Sequence, residues 1–187
     1  MNLPCKDELI RDKVEYLFGD EGLRFQSARL TKLIEAAYVN EFPASQSAIL
    51  HLLYTQNEIL DLIDIGQLIY ENTPTVSSNE SSKHIIKQAK FLCKRIGNWD
   101  DFPSHLHPHE WTCPLVVVQA FFAKHSVYEW RTLVQCLFES ALGTMSINES
   151  AESFWVGLDI IELYRLLDAV WVYKMIEGIE MPIDMAH

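Results

Sequence analysis

Between residues 99 and 114 the chain reads Trp-Asp-Asp-Phe-Pro-Ser-His105-Leu-His107-Pro-His109-Glu110-Trp-Thr-Cys113-Pro, its one dense gathering of side chains that bind metals or carry protons. In an extended His-x-His both imidazoles lie on one side of the chain, and Pro108 biases His107 toward that backbone. His105, His107 and His109 can on this reading share zinc or another divalent ion, with Cys113 or Asp101 as a further ligand. The same rings can pass protons near neutral pH. The spacing matches no established catalytic zinc pattern. There is no His-Glu-x-x-His and no second ligand pair at zinc-like separation elsewhere. A surface loop whose histidines cap, stack or are solvated is therefore the plainer reading, and a metal-dependent enzyme or metal sensor the alternative.

Just upstream, Lys83, Lys87, Lys90 and Lys94 are spaced four, three and four residues apart, with Arg95 next. On a helix that spacing places the ammonium groups on one face, opposite Ile85, Ile86, Ala89, Leu92, Cys93 and Ile96. The bland outcome is a solvated face. The sharper one is a contact for an acidic protein surface or a phosphate. Five cations make a modest footprint and no helix-turn-helix pattern adjoins them, so nucleic acid is not the expected partner. Trp99, Phe102 and Trp111 flank the histidines and either pin the connection to the core or line a partner groove.

Other chemistry is not encoded in recognisable form. No Gly-x-Gly-x-x-Gly, Walker-type phosphate loop or Gly-x-Ser-x-Gly elbow occurs. Cys5, Cys93, Cys113 and Cys136 form no Cys-x-x-Cys pair, which argues for reduced, mostly buried thiols. Cys93 and Cys136 are expected on apolar helix faces, where a nucleophilic thiolate is disfavoured.

These residues must be positioned by helices, because apolar side chains recur at helical spacing throughout and no strict alternation is present. Leu9, Ile10, Val14, Leu17 and Phe18 predict a first helix stopped near Gly19. Asp20 is placed to cap a second, which ends before Pro43. Ser45 or Ser47 opens a long third helix. Residues 72–82 read as a mobile serine-rich loop, the lysine helix follows, and residues 97–113 form the His/Trp loop. Pro114 suits the first turn of a fifth helix. Ser126-Val-Tyr-Glu129 is a capping box opening a sixth, which runs to Gly143. A last helix from about Ser150 to Glu177 is apolar over most of its circumference. Its Asp159, Glu162, Arg165 and Asp168 step by three and can pair along the helix, Glu162 with Arg165 and Arg165 with Asp168; a buried carboxylate site is the lesser reading.

The 187 residues allow one substantial core. The expected fold is all-α: residues 1–187 as a single domain, an irregular bundle of about seven helices packed around the long apolar C-terminal helix. Residues 1–75 hold 6 basic and 12 acidic groups, residues 76–112 hold 5 and 4, and residues 113–187 hold 4 and 10. Such acidity repels phosphate backbones and suits a basic partner. No apolar run is long enough to span a bilayer, and the N-terminus lacks a basic start and an apolar core of a signal peptide. The expectation is a soluble, cytoplasmic, non-enzymatic protein that acts on a protein partner, a second copy of itself included, as an inhibitor, immunity-type protein or regulatory subunit. The partner surface is expected at Lys83, Lys87, Lys90, Lys94, Arg95, Trp99 and Trp111, or on an acidic face of the first three helices.

Overall fold

A computed structural model describes residues 6–19, 22–39, 45–72, 90–94, 96, 99–143 and 153–177. It contains α1 (Lys6–Phe18), α2 (Gly22–Tyr38), α3 (Gln46–Asn72), a 3-10 turn (Trp99–Asp101), α4 (Pro114–Lys124), α5 (Val127–Leu142) and α6 (Ser153–Glu177). Residues 90–94 are also helical, and no strand occurs among the described residues. The fold is all-α. Most of the serine-rich loop, Lys83 and Lys87, Arg95, Asp20 and Cys5 lie outside the described residues, as do the side chains of Trp99 and Trp155.

Local sequence accounts for most helix ends. In α1, Ile10, Val14, Leu17 and Phe18 are buried, and the helix stops at Gly19, whose φ of 47° is cheap only without a Cβ. The buried Gln26 of α2 donates its Nε2 to the carbonyl of Leu17 at 2.6 Å, satisfying an end of α1 that has no intrahelical donor. Ser45 Oγ accepts from the N–H of Ala48 at the start of α3. Pro114 stands in the first turn of α4. Ser126 and Glu129 form the expected reciprocal cap of α5, with each side chain accepting from the other's backbone N–H.

The core is shared between two long helices. From Leu166 to Val172 every residue of α6 is buried, and α6 packs on α1, α2, α3 and α4. The N-terminal part of α6 is more open, with Leu158 and Ile161 exposed. Meanwhile α3 meets all five other long helices, so the C-terminal helix is not the single axis of the bundle. Where α3 and α6 approach, Gly66 leaves room for Leu166: a Cβ there would lie 3.1 Å from Leu166 Cδ1 and 3.3 Å from Phe122 Cε2. In the first turn of α5, Trp130 is fully buried. It stacks on Phe121 at 3.9 Å and donates Nε1 to the Phe121 carbonyl at 3.0 Å.

Candidate functional site

The 3-10 turn and the irregular chain that follows it to Cys113 form a strap lying across α2 and α6. Its first tie is acidic. Asp101 Oδ1 accepts from the backbone N–H of Arg24 at 2.9 Å, so a carboxylate distant in sequence caps the first turn of α2. Asp100 Oδ2 takes the Arg24 guanidinium at 2.9 Å. Gly22 makes room for this approach, because its φ is 74° and a Cβ there would lie 2.7 Å from Asp101 Oδ1. The carbonyl of Asp101 accepts from Trp171 Nε1 of α6 at 3.0 Å.

The second tie uses His105. Asp168 of α6 is only 2% exposed, and its Oδ2 accepts both the His105 N–H at 2.7 Å and His105 Nδ1 at 3.2 Å. A carboxylate can only accept here, so Nδ1 carries a proton. The imidazole stacks on Tyr164 with centroids 4.7 Å apart, and the Tyr164 hydroxyl meets Thr31 Oγ1 at 2.7 Å. Burial pushes the Tyr164 phenol above its ordinary value of 10.0, against the Thr31 hydrogen bond, with a further push from the Glu35 charge.

The third tie is Glu110, also buried. One oxygen accepts from the His107 N–H at 2.7 Å and the other from the Arg165 guanidinium of α6. Arg165 reaches Glu162 as well, at 3.0 Å. The polar stripe of α6 thus pairs once along the helix, Glu162 with Arg165, whereas Asp168 turns to the strap instead of to Arg165. Asp159 at the stripe's other end holds Lys124 at 2.8 Å and His125 Nε2 at 3.1 Å, both at the C-terminal end of α4. Leu106 is buried under the strap, and Phe102 meets Trp111 edge-on at 4.9 Å.

The candidate metal ligands are therefore spread among different duties. His105 turns inward to Asp168. His107 and His109 are exposed and stack on one another with centroids 5.7 Å apart. Cys113 is half-buried and its backbone N–H bonds to the Glu110 carbonyl. Among the described residues no group of three or more His, Cys, Asp or Glu side chains converges as a metal would need. Of the lysine stripe, Lys90 and Lys94 are exposed, as expected of an outer face. The thiols depart from expectation, since Cys93 and Cys136 are exposed. In α5 the buried stripe is Trp130, Val134, Leu137 and Ala141, and Cys136 falls on the far side of it.

Sequence reasoning marked the strap but not its partners. Asp168 carried a usable signal: a carboxylate inside the apolar run Leu166-Leu-Asp-Ala-Val-Trp-Val172 needs a buried donor. No protein-family model matches the chain, nor does any curated protein or solved structure.

Proposed function

We propose that the protein acts without catalysis, by binding another protein as an inhibitor, immunity-type protein or regulatory subunit. The observation that supports this is a contiguous apolar stripe on the outer side of α3. Leu50, Leu53 and Tyr54 stand at i, i+3 and i+4 and are 45%, 40% and 67% exposed. Single apolar side chains on a surface are ordinary, but neighbours on one helix face form a patch that a partner can cover. The strap supports the same reading from the other direction. Its polar groups Asp101, His105 and Glu110 hold the fold together, and so are committed to structure rather than to a substrate. The exposed Lys90 and Lys94 offer a second surface to an acidic partner.

The test is affinity capture with the intact protein from its own cells, comparing wild type with Leu50→Glu/Tyr54→Ser and with Lys90→Glu/Lys94→Glu. A specific protein held by wild type and lost by one variant, at unchanged helicity and melting temperature, is the expected result. Identical retention by all three forms, or no retained protein at all, overturns the reading.

A further inference from the structure

The corner between α2 and α3 holds an open groove of about 500 Å³, with Lys32 and Ala36 on one wall and Ala48, His51, Leu52 and Thr55 on the other. That volume lies within the range of pockets that take a few side chains. Its floor is aliphatic, from Ala36, Ala48 and Leu52. Although residues 1–75 carry twice as many acidic as basic groups, none of the described residues lining the groove is acidic. Lys32 makes no ion pair among the described residues, while one turn away Arg29 and Glu58 pair across the same two helices. The Thr55 hydroxyl is committed to the His51 carbonyl at 2.9 Å and Ser45 Oγ to the Ala48 N–H, which leaves Lys32, the His51 ring and the Ser47 hydroxyl as the groove's polar features.

The groove also continues into exposed apolar surface on both sides. On α2, Val39 follows Lys32 and Ala36 at helical spacing and is 48% exposed. On α3, Tyr54 stands three residues beyond His51, at the groove's edge, and is 67% exposed. A cation that has no ion pair among the described residues, set over an aliphatic floor with apolar rims, is complementary to a carboxylate flanked by aliphatic side chains. The geometry points to an acidic, leucine-type segment of the partner protein as the occupant, its carboxylate on Lys32 and its apolar side chains over Ala36, Leu52 and Tyr54. This assignment rests on the protein-binding reading above and gives the partner its chemistry.

The experiment titrates the ¹⁵N-labelled full chain with end-capped peptides of about nine residues in which leucine alternates with glutamate, with glutamine or with lysine, and separately with inorganic phosphate. The Leu/Glu peptide is expected to shift the amides of Ala36, Ala48, His51 and Leu52. Its affinity should fall roughly five-fold or more when glutamine replaces glutamate, and again in Lys32→Glu, as expected for loss of one favourable charge contact. No shift at those amides with the Leu/Glu peptide overturns the inference. Equal binding of the Leu/Gln or Leu/Lys peptide, indifference to Lys32→Glu, or the same shifts with phosphate alone also overturns it. These failures are distinct from failure of the protein-binding reading, since a partner captured through Leu50 and Tyr54 would still be lost in Leu50→Glu/Tyr54→Ser.

Discussion

Asp168 Oδ2 receives two hydrogen bonds from one residue, His105, through its backbone N–H and its ring Nδ1. A buried carboxylate is tolerated only when so served, and the donors are equally costly to strand. Asp168→Ala should lower unfolding free energy by about 2–4 kcal/mol, because it leaves the strap's N–H without its acceptor. His105→Ala keeps the backbone bond and should cost about 1 kcal/mol. Urea denaturation separates these values. An Asp168→Ala loss no larger than that of His105→Ala would show that the backbone bond carries little in solution.

Asp101 caps a helix whose first turn passes against its carboxylate, and Gly22 permits the approach. Asp101→Ala should cost about 1 kcal/mol as a lost cap. Gly22→Ala should cost about 1–3 kcal/mol, from a positive φ and a clash with Asp101 together. In the double variant the clash is gone and only the backbone strain and the lost cap remain. The combined loss is therefore expected to be smaller than the sum of the two single losses, and a double-mutant cycle measures the difference. Full additivity would place Gly22 out of contact with Asp101.

These two relationships show what a sequence reader can and cannot see. The Ser126–Glu129 box, the proline opening α4 and the apolar period of α1 are local, and each is legible because its parts lie within one or two turns. The bond from Arg24 to Asp101 is not, since its partners stand 77 residues apart and meet only because the strap crosses α2. Likewise Arg165 has Glu162 and Asp168 at equal spacing along its helix, yet only the strap's Glu110 and His105 decide which carboxylate it keeps. The strap could be picked out by composition, while its bonding depended on packing between distant segments. Cys93 and Cys136 are exposed against expectation for a related reason: a small apolar side chain at the edge of a stripe does not declare which side of the edge it occupies.

Tyr164 gives the fold an alkaline limit. Its folded phenol titrates above the ordinary 10.0 because burial disfavours the anion. The unfolded chain therefore loses this proton first as pH rises. The contribution is fully present below about pH 10 and is lost as pH climbs from there through the raised folded value. Tyr164→Phe removes that dependence, along with the bond to Thr31. Stability measured from pH 8 to 11 should decline more steeply for wild type than for Tyr164→Phe, and parallel curves would contradict the assignment.

His107 and His109 stack in the open while His105 is turned toward Asp168, so the strap offers a divalent ion two imidazoles. Protein purified without a histidine tag should accordingly melt within about 1 °C of its own value when equimolar zinc is added, since a bound-state gain of 1 kcal/mol would move a chain of this size by about 2–4 °C. A rise of several degrees that disappears in His107→Ala/His109→Ala would establish a metal site.

The cap on α2 also bears on the order in which the chain can be completed. Arg24 and Asp101 are 77 residues apart, and Trp171 reaches the same Asp101 from 70 residues beyond it. During synthesis from the N-terminus, α2 emerges long before its capping carboxylate, and Trp171, which holds the backbone carbonyl of Asp101, emerges later still. Until then α2 lacks this cap, so truncated products ending before residue 99 leave the ribosome without it.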